Sequence, residues 1–422
     1  MNLALVITAY NREDSLKRLL ESVGKANYAK ESRVDLIISI DYSGSDNCYY
    51  EAKKFEWLYG EKRILNHGQN LGLKKHIISC GDLVQHYDGI IMLEDDIYVS
   101  PEFYNFSKEA LEFYKNEKKV SQVSLYSMHY NETARLHFEP MSDASDVFFM
   151  QLASSWGQVW LKEWWEGFKS WLGEQTEQSI QEIEQKYLIP PNVIKWPATS
   201  WKKLYIYYMI VNDKYCVYPF RSFSTNFMDK GTHHLVEDNL LQVPLELHPR
   251  KYIYRTFDES KSKYDAFCEM EYRTIRELNK KLINEDVEVD LYGTKPLEKV
   301  SNTYVLSTRK VDSYISRYSI NLKPIEMNVV LSNKSHKDNA QNIYLSLKND
   351  VKNIRPKFID SLCYFHNVRN SEINNLITNA VKYHVNNRGY YDQPVRAITH
   401  KIIRKLKSIY HFGKIKIKSF TT

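Results

Sequence analysis

The sequence predicts an α/β fold in which helices flank a mostly parallel central sheet. Over roughly the first hundred residues, short apolar segments typical of buried strands alternate with longer segments whose apolar residues recur at helical spacing. Strands that alternate with helices form parallel, doubly wound sheets. Polar residues follow several predicted strands directly, and ligands bind such sheets beyond the carboxyl ends of the strands. The pattern therefore predicts a binding site at one edge of the sheet.

The predicted strands and helices follow one another closely. Residues 3–8 form the first strand, Asn11 is the expected N-cap of a helix with one apolar face, and residues 34–40 form the second strand. A turn-rich segment, 41–46, comes next. The remaining predicted elements are a helix over 47–58, a short strand at 64–65, a helix over 73–85 and a strand that begins at Ile90.

Three consecutive carboxylates follow the strand that begins at Ile90. Glu94, Asp95 and Asp96 stand directly after the apolar run 90–93. Adjacent like charges repel and raise each other's pKa, so a core strand alone does not account for them. A bound Mg²⁺ or Mn²⁺ would remove that cost, because hard divalent cations take carboxylate oxygens, and it could also hold a nucleotide's diphosphate. The alternative is an acidic turn after a core strand.

Length and composition indicate an ordinary globular protein. At 422 residues the chain is long enough for two or three domains of about 150 residues each. Its content of 43% hydrophobic and 26% charged residues is typical of soluble domains. The 32 tyrosines and 8 tryptophans suit carbohydrate or nucleotide sites, although aromatic residues fill cores more often. The net charge of only +6 leads us to expect no nucleic-acid partner.

The cysteines and the N-terminus indicate a cytoplasmic setting. The five cysteines lie far apart with no CxxC pair, which argues against a disulfide framework and against a zinc site. No basic region precedes the short apolar run at residues 3–8, so we expect neither a signal peptide nor a membrane span there. We therefore expect a reducing, cytoplasmic location.

Four motifs, in this order, resemble the nucleotide-sugar domain of GT-A glycosyltransferases. They are Leu5-Val6-Ile7-Thr8-Ala9-Tyr10-Asn11-Arg12, the strand ending in Asp41 before Ser43-Gly44-Ser45-Asp46, Asn70-Leu71-Gly72, and Glu94-Asp95-Asp96. Their order and spacing resemble the inverting family 2. The Glu-Asp-Asp form and the following Pro101-Glu102-Phe103-Tyr104 resemble the Golgi N-acetylglucosaminyltransferases of complex N-glycan synthesis. The resemblance covers residues 1–250 and implies a Rossmann-like GT-A fold.

The resemblance implies a nucleoside site after the first two strands. Thr8, Tyr10 and Arg12 would contact the nucleoside, and Arg12 could also meet a phosphate because its planar fork suits phosphate oxygens. Asp41 would accept a hydrogen bond from the base, which is usually uracil. The alternative for Arg12 is a surface arginine at the start of a helix, and the alternative for Asp41 is a simple turn residue.

The resemblance also implies a diphosphate and sugar site around the acidic triplet. Asp96 would bind the metal, Mn²⁺ or Mg²⁺, while Glu94 and Asp95 would face the ribose or the donor sugar. His67 and Asn70 would lie near the sugar-phosphate region. A lone histidine in a loop is more often a surface residue.

A tryptophan-rich stretch is the predicted acceptor side. In the family a Gly-x-x-Trp segment forms the floor between donor sugar and acceptor, which maps to Gly157 and Trp160, with Trp156 beside them. The alternative is core packing, because Trp156, Trp160 and Trp164 recur at helical spacing.

The catalytic carboxylate of the family has no counterpart at its usual place. That acid deprotonates the acceptor hydroxyl, but Ser200-Trp201-Lys202 occupies the corresponding segment and offers none. The base would then be Asp229, Glu163 or Glu166, or activity is weak or absent.

Residues 225–234 resemble the loop that closes over the donor diphosphate in the Golgi enzymes. Lys230, Gly231 and Thr232 are candidate donor contacts, and His233 is a candidate metal or phosphate ligand. Glycine permits a close backbone approach, and a lid keeps an activated donor from water. The alternative is an ordinary polar loop.

Three parts of the chain are predicted. Residues 1–250 form the GT-A domain, with a nucleotide-sugar half at 1–125 and an acceptor half with the lid at 126–250. Residues 251–394 form an α+β or mostly helical extension of unknown role. Residues 395–422 form a basic amphipathic tail, which predicts binding to an anionic membrane surface, with partner docking or a solvated tail as alternatives.

The predicted function is transfer of a sugar from a nucleotide-diphosphate donor, with a UDP-sugar expected. The enzyme would be an inverting, Mn²⁺- or Mg²⁺-dependent hexosyl- or N-acetylhexosaminyltransferase. Its acceptor would be a glycan or lipid-linked glycan in surface or capsular polysaccharide synthesis, at the inner face of the membrane. One alternative is a degenerate carbohydrate-binding subunit. The other, a sugar-1-phosphate nucleotidyltransferase, is disfavoured because no glycine-rich phosphate loop follows the first strand.

Overall fold

The computed structural model describes residues 1–28, 33–231, 239–333, 341–367, 369 and 371–372. Its strands are β1 (Leu3–Ala9), β2 (Leu36–Ile40), β3 (Lys62–Asn66), β4 (Gly89–Glu94), β5 (Ile97–Val99), β6 (Val120–Ser124), β7 (Tyr130–Asn131), β8 (Leu136–His137), β9 (Val147–Met150), β10 (Gln158–Leu161), β11 (Tyr215–Pro219), β12 (Ser224–Asn226), β13 (Lys263–Tyr264), β14 (Val287–Asp290), β15 (Tyr304–Ser307), β16 (Ser316–Ser319) and β17 (Asn342–Leu347).

Helices alternate with the strands in the N-terminal part of the chain, as predicted. They are α1 (Glu13–Gly24), α2 (Asn47–Lys54), α3 (Leu73–Asp82), α4 (Phe103–Tyr114), α5 (Lys162–Gly173), α6 (Glu177–Lys186), α7 (Pro191–Ile194), α8 (Trp201–Val211), α9 (Tyr272–Leu278), α10 (Met327–Val330) and α11 (Phe358–Phe365). Within the described residues, no helix is both long enough and apolar enough to span a bilayer.

The chain divides into two compact units, residues 1–357 and 358–422. The described part of the second unit holds α11. The predicted boundaries at 125, 250 and 394 stay predictions. Thr232, His233 and the whole segment 395–422, to which the sequence assigns lid, metal and membrane roles, lie outside the described residues.

A nine-stranded sheet, counted over the described residues, organises the first unit. Its strand order is β13-β9-β11-β6-β10-β4-β1-β2-β3. Strands β4, β1, β2 and β3 are mutually parallel neighbours. Strand β10 is antiparallel to both β4 and β6, and β9 is antiparallel to β11. This mostly parallel sheet with helices between its strands confirms the predicted α/β class.

Burial on both faces explains the continuous apolar runs of the central strands. Every residue of β1 and β2 is buried, as is all of β4 before Glu94. A parallel strand covered on both faces is apolar throughout rather than alternating. The register aligns Thr8 with both Ser39 and Glu94, and Ile40 with Asn66. The carboxyl ends of β4, β1, β2 and β3 therefore meet at one edge, where the polar residues of the candidate site begin.

The start of helix α1 determines the position of Arg12. Its buried face consists of the leucines and valine expected from the pattern, Leu16, Leu19, Leu20 and Val23. The predicted N-cap was wrong: α1 begins at Glu13, so Arg12 rather than Asn11 stands at the cap position, and no side chain caps the helix. Arg12 therefore lies on the short connection between β1 and α1.

A short antiparallel pair carries a later segment back to the same edge. Strand β12 pairs with β5, which directly follows the acidic triplet, with Thr225 opposite Tyr98. The backbone N–H of Phe227 then donates to the carbonyl of Asp96 at 3.0 Å. Asn226 and Phe227 therefore lie directly beside the triplet.

The C-terminal part of the first unit contains a second, four-stranded sheet in the order β14-β15-β17-β16. A buried ion pair and a hydrogen bond stabilise it: Arg309 Nε lies 2.7 Å from Asp290 Oδ2, and Arg309 Nη2 donates to the carbonyl of Lys295 at 2.7 Å. Since charged side chains are rarely this buried without partners, the network accounts for their position. With α9 and α10 this region is α+β, one of the two predicted forms.

Candidate active site at the carboxyl edge of the sheet

The acidic triplet lies at the centre of the edge, at the end of β4. Asp95 and Asp96 are 4% and 7% exposed, and Glu94 is half-buried. The guanidinium of Arg12 bridges the two aspartates: Nη1 donates to Asp96 Oδ2 at 3.0 Å and Nη2 donates to Asp95 Oδ1. The second oxygen of each, Asp95 Oδ2 and Asp96 Oδ1, is buried without a hydrogen-bond partner among the described residues.

The pKa values of the triplet reflect this crowding. Burial raises the pKa of Glu94 to about 8, with Asp96 and Asp95 adding to the effect against Arg12. Burial also raises the pKa of Asp95 to about 6, although the Arg12 charge opposes it. Burial lowers the pKa of Arg12, but the two aspartates outweigh it, so the pKa lies above its ordinary value. One guanidinium thus offsets only part of the negative charge of the three carboxyl groups.

Whether the residues suit a divalent metal can be judged from these oxygens. Among the described residues, no cluster of three or more His, Cys, Asp or Glu side chains could hold a metal. However, Asp95 Oδ2 and Asp96 Oδ1 are buried carboxylate oxygens that lack partners. Mg²⁺ commonly takes one or two carboxylates and completes its shell with phosphate oxygens and water. The oxygens of Asp95 and Asp96 fit an ion of that kind.

Asp41, at the end of β2, ties two loops together. Its carboxylate accepts from the backbone N–H groups of Tyr42 at 2.9 Å, Leu71 at 2.7 Å and Gly72 at 3.0 Å. Gly72 has φ of +75°, which favours glycine at this turn. Asp41 therefore holds the Asn70-Leu71-Gly72 loop against the sheet edge, and its predicted contact with a nucleobase stays a prediction.

Tyr10 and Asn70 meet above this turn. The side-chain amide of Asn70 donates to the carbonyl of Tyr42 at 2.9 Å and to the hydroxyl of Tyr10 at 3.3 Å. Thr8, near the end of β1, is buried, and its hydroxyl lies 3.5 Å from the carbonyl of Leu93. The structure thus brings Tyr10, Asp41 and Asn70 together, and Thr8 lies against β4.

His67 belongs to a hydrogen-bonded set beneath this group. Ser39 Oγ lies 3.0 Å from His67 Nε2 and 2.9 Å from His76 Nε2. Burial lowers the pKa of His76 to about 4, while Asp41 opposes the shift. His76 is therefore neutral at physiological pH, and Ser39 links it to the half-buried His67.

The predicted lid segment lies against α1. Asp229 accepts from Ser15 Oγ at 2.6 Å and from Arg18 Nη2. A Cβ built on Gly231 would lie 3.4 Å from Arg12 Cδ, so this backbone passes directly over Arg12, while Lys230 is exposed. Residues 229–231 therefore adjoin the triplet through Arg12.

The partners of Asp229 change its acidity. Burial raises the pKa of the carboxyl, but hydrogen bonds from Arg18 and Ser15 outweigh it, so the pKa lies below its ordinary value. A carboxylate held in this way is a weak base until the Arg18 pair opens. The base role of Asp229 stays a prediction.

Trp156 and Gly157 lie on the other side of the triplet. The register of β10 sets Gln158 opposite Met92, and Trp156 precedes Gln158 by two residues as Met92 precedes Glu94 by two. Trp156 is half-buried, with the ring of Tyr126 edge-on at 4.6 Å. Gly157 has φ of +87°, and a Cβ there would lie 2.9 Å from Leu125 Cβ. Only glycine fits this position without displacement, and it fixes where Trp156 stands.

Trp160 lies in the aromatic core. It is fully buried and packs on Trp165 at 4.6 Å and Tyr205 at 5.8 Å between ring centroids. This position agrees with the core-packing alternative. The helical spacing of the tryptophans does not reflect one helix, because Gln158–Leu161 is a strand and α5 begins at Lys162.

The structure does not bring Glu163 and Glu166 to the triplet. Strand β10 runs antiparallel to β4, and Leu161 pairs with Gly89 at the amino end of β4. Helix α5 therefore begins at the opposite edge of the sheet, about six residues, or roughly 20 Å, from the end of β4. Both glutamates are exposed, and Glu166 accepts from Gln85 at 3.2 Å.

Two cations at the site went unnoticed in the sequence. Arg18 pairs with Asp229 and lies 3.9 Å from the centroid of the Phe227 ring. Lys202 Nζ lies 4.8 Å from the centroid of the Trp156 ring. A sequence signal existed for Lys202, since it stands in the segment where an acid was expected. None existed for Arg18, whose partner is 211 residues away.

Comparison with known protein families gives one match. Residues 4–155 match the family described as glycosyl transferase family 2, which confirms the resemblance to that family. A search of curated proteins finds no match. The further resemblance to the Golgi enzymes stays a prediction.

Solved structures of low similarity were also found. One is S. aureus TarS 1–349 in complex with UDP-GlcNAc, at 14% identity and TM-score 0.36, covering 56% of this chain and 60% of that chain. Another is the mannosyltransferase PcManGT from Pyrobaculum calidifontis in complex with GDP-Man and Mn²⁺, at 9% identity and TM-score 0.30, covering 41% of this chain and 46% of that chain. The chain therefore spans three fifths or less of the length of these proteins.

Proposed function

Starting from the glycosyl transferase family 2 match over residues 4–155, we propose that this chain transfers a sugar from a nucleotide-diphosphate donor, a UDP-sugar, to a glycan or lipid-linked glycan. The observation that carries the proposal is the arrangement at the end of β4. Asp95 and Asp96 share the Arg12 guanidinium, and each keeps one buried oxygen without a described partner. A cation and an anionic diphosphate together would complete this arrangement.

The site would first have to stabilise the leaving group, the nucleoside diphosphate. Asp96, with Asp95 beside it, would hold Mn²⁺ or Mg²⁺, which when bound neutralises charge on the departing diphosphate. Arg12 supplies a second, covalently fixed positive charge at the same place, and its fork suits phosphate oxygens. Both interactions strengthen as negative charge develops on the leaving oxygen, so they lower the barrier to displacement.

The nucleoside would bind along the ends of β1 and β2. Tyr10 offers an aromatic face, and the hydrogen bond from Asn70 fixes its hydroxyl. Asp41 orders the turn beneath them through three backbone N–H groups. His67, linked to Ser39, stands on the neighbouring strand end.

The segment after β12 would then cover the diphosphate. Gly231 already passes over Arg12, and Lys230 is the exposed cation next to it. Closure of such a segment excludes water, which would otherwise hydrolyse the activated donor. Asp229 would serve as the base that deprotonates the acceptor hydroxyl for inverting, in-line attack, which requires its pair with Arg18 to open.

A carbohydrate-binding subunit without activity is the second candidate. It is favoured by the state of Asp229, which is paired with Arg18 and Ser15, and by Lys202 in the segment where the family places its acid. The role in surface or capsular polysaccharide synthesis, and attachment of residues 395–422 to an anionic membrane, belong to the proposal as further expectations.

Calorimetric titration of the full chain with UDP, with and without Mn²⁺, tests the proposal, followed by a screen for hydrolysis of UDP-sugars. The enzyme requires metal-dependent UDP binding together with slow hydrolysis of at least one donor. Glycan binding without nucleotide binding would contradict the proposed enzyme and support the carbohydrate-binding subunit.

A further inference from the structure

We propose that Lys202 forms an anion-binding point on the acceptor side of the site, so that the acceptor carries a phosphate or carboxylate group. This deepens the proposed function and rests on it. The residue stands at the start of α8, next to the Ser200 cap, and its ammonium lies beside the half-buried Trp156.

The surroundings of Lys202 are apolar on two sides. Its Nζ lies 4.8 Å from the ring centroid of Trp156 and 5.4 Å from that of Trp196. Its side chain is only 14% exposed. Two indole rings therefore hold the ammonium in a fixed position by cation–π contact and remove most of its hydration.

The ammonium nevertheless lacks a close anionic partner. The nearest carboxylate oxygen, Glu132 Oε1, is 4.0 Å away, beyond hydrogen-bond distance, and no hydrogen bond from Lys202 Nζ is formed within the described residues. A largely buried ammonium normally makes charge-assisted hydrogen bonds, because its desolvation is costly without them. A bound anion would accept the charge-assisted hydrogen bonds that the described residues do not accept from this ammonium.

The next residue shows how a structural lysine is satisfied in the same helix turn. Lys203 Nζ donates to the carbonyl of Ile194 at 2.7 Å and lies 3.1 Å from Glu184 Oε1. That lysine is fully engaged by the fold. Lys202 is distinguished from its neighbour because its ammonium makes no hydrogen bond within the described residues and has only the long contact with Glu132.

The position of Lys202 assigns it to the acceptor rather than the donor. Its neighbours Glu132, Trp156 and Trp196 all belong to the half of the domain after β6, whereas Tyr10, Arg12 and Asp41 line the nucleotide half. The Lys202 charge acts on Glu94 at the end of β4, so an anion at Lys202 would lie next to the place proposed for the donor sugar. The family's acid is replaced here by a cation, which suits an acceptor with a negative charge.

The test measures weak ligand binding to the full chain by saturation-transfer NMR, with and without UDP and Mn²⁺. Glycerol 3-phosphate and methyl glucuronide are the anionic probes, and glycerol and methyl glucoside are their neutral counterparts. We expect at least one anion to bind about tenfold more tightly than its neutral counterpart. A preference for the phosphate ester indicates a phosphorylated acceptor, and a preference for the uronide indicates an acidic sugar.

Three variants test whether Lys202 is responsible for the preference for anions. K202M keeps the apolar stem between the indoles and should abolish the preference for anions, whereas K202R should retain it. K186M is the control, because Lys186 lies 5.2 Å from the ring centroid of Tyr187 but is exposed on α6, and it should behave as the wild type.

Several outcomes would overturn the proposal. It is wrong if no anion is preferred, or if K202M retains the preference. A loss of UDP affinity in K202M, with K202R normal, would assign Lys202 to the donor diphosphate instead. Anion binding that depends on Lys202 in a chain that binds no UDP would refute the proposed function and the acceptor assignment with it, whereas UDP binding without anion preference refutes the Lys202 proposal alone.

Discussion

The guanidinium of Arg12 holds Asp96 at the carboxyl edge of the sheet, with Nη1 donating to Asp96 Oδ2 at 3.0 Å. The contact joins the connection after β1 to the end of β4, two strands that are neighbours in the sheet. It leaves Asp96 Oδ1 buried without a described partner. One oxygen of Asp96 is thus paired by the protein, and under the proposed function the other would bind the metal.

Replacing Arg12 by methionine should weaken UDP binding by roughly 10- to 100-fold in the presence of Mn²⁺. A hydrogen bond to a charged group contributes about 1.5–3 kcal/mol, and Arg12 would lose such contacts to the diphosphate. Calorimetry measures the affinity. Arg33→Met is the matched control, since Arg33 is exposed and pairs with Asp35 and Glu61 at the surface. Equal affinities in the two variants would exclude Arg12 from the donor site.

Gly157→Ala should lower the free energy of unfolding by about 2–4 kcal/mol. The added Cβ meets Leu125 at 2.9 Å, and φ of +87° is strained for any residue with a side chain. Gly44→Ala is the control, because Gly44 has φ of +84° but nothing within 4 Å of the added Cβ, so about 1 kcal/mol is expected. Urea unfolding measures both. A loss of the same size in both variants would show that the contact with Leu125 adds nothing.

Asp229→Asn should reduce turnover by a factor of at least ~10² while UDP affinity changes little. The amide cannot accept the acceptor's proton, although it can still accept hydrogen bonds from Ser15 and Arg18. Glu163→Gln is the control, since Glu163 lies at the opposite edge of the sheet and should leave turnover unchanged. Steady-state kinetics with a competent acceptor decides between them, and full activity of the Asp229 variant would remove it as the base.

Stability should fall as the pH drops from 6.5 towards 4 because of His76. Burial lowers the pKa of His76 to about 4 from 6.5, so the unfolded chain binds a proton before the folded chain does. The contribution is complete above pH 6.5 and about 3 kcal/mol is lost by pH 4. Burial also lowers the pKa of His129 to about 4, so His76→Gln should reduce this slope in urea unfolding without removing it, and exposed His86→Asn should leave it unchanged. An unchanged slope in His76→Gln would place the acid sensitivity elsewhere.

The parallel half of the fold could be predicted because its central strands, β1, β2 and β4, are continuous apolar runs. Burial on both faces leaves that signature in β1, β2 and β4, and the carboxyl ends of parallel neighbours must meet. The meeting of Asp41, His67 and Glu94 at one edge therefore followed from local sequence.

The acceptor half could not be predicted in the same way. Strand β10 has only four residues, three of them apolar, and its local sequence does not show that it runs antiparallel to β4. That direction places Glu163 at the wrong edge. The pair of Asp229 with Arg18 joins residues 211 positions apart, and such a contact leaves no mark in either local pattern.

Metal-dependent nucleotide binding by Asp96→Asn tests the central claim most directly. The amide keeps the size of the side chain and can still accept from Arg12, so the fold should be retained, as circular dichroism and thermal unfolding would show. We predict that Mn²⁺ raises the UDP affinity of the wild type but leaves that of Asp96→Asn unchanged in calorimetric titration. If Mn²⁺ raises the UDP affinity of both proteins equally, Asp96 does not hold the metal, and the proposed donor site is wrong.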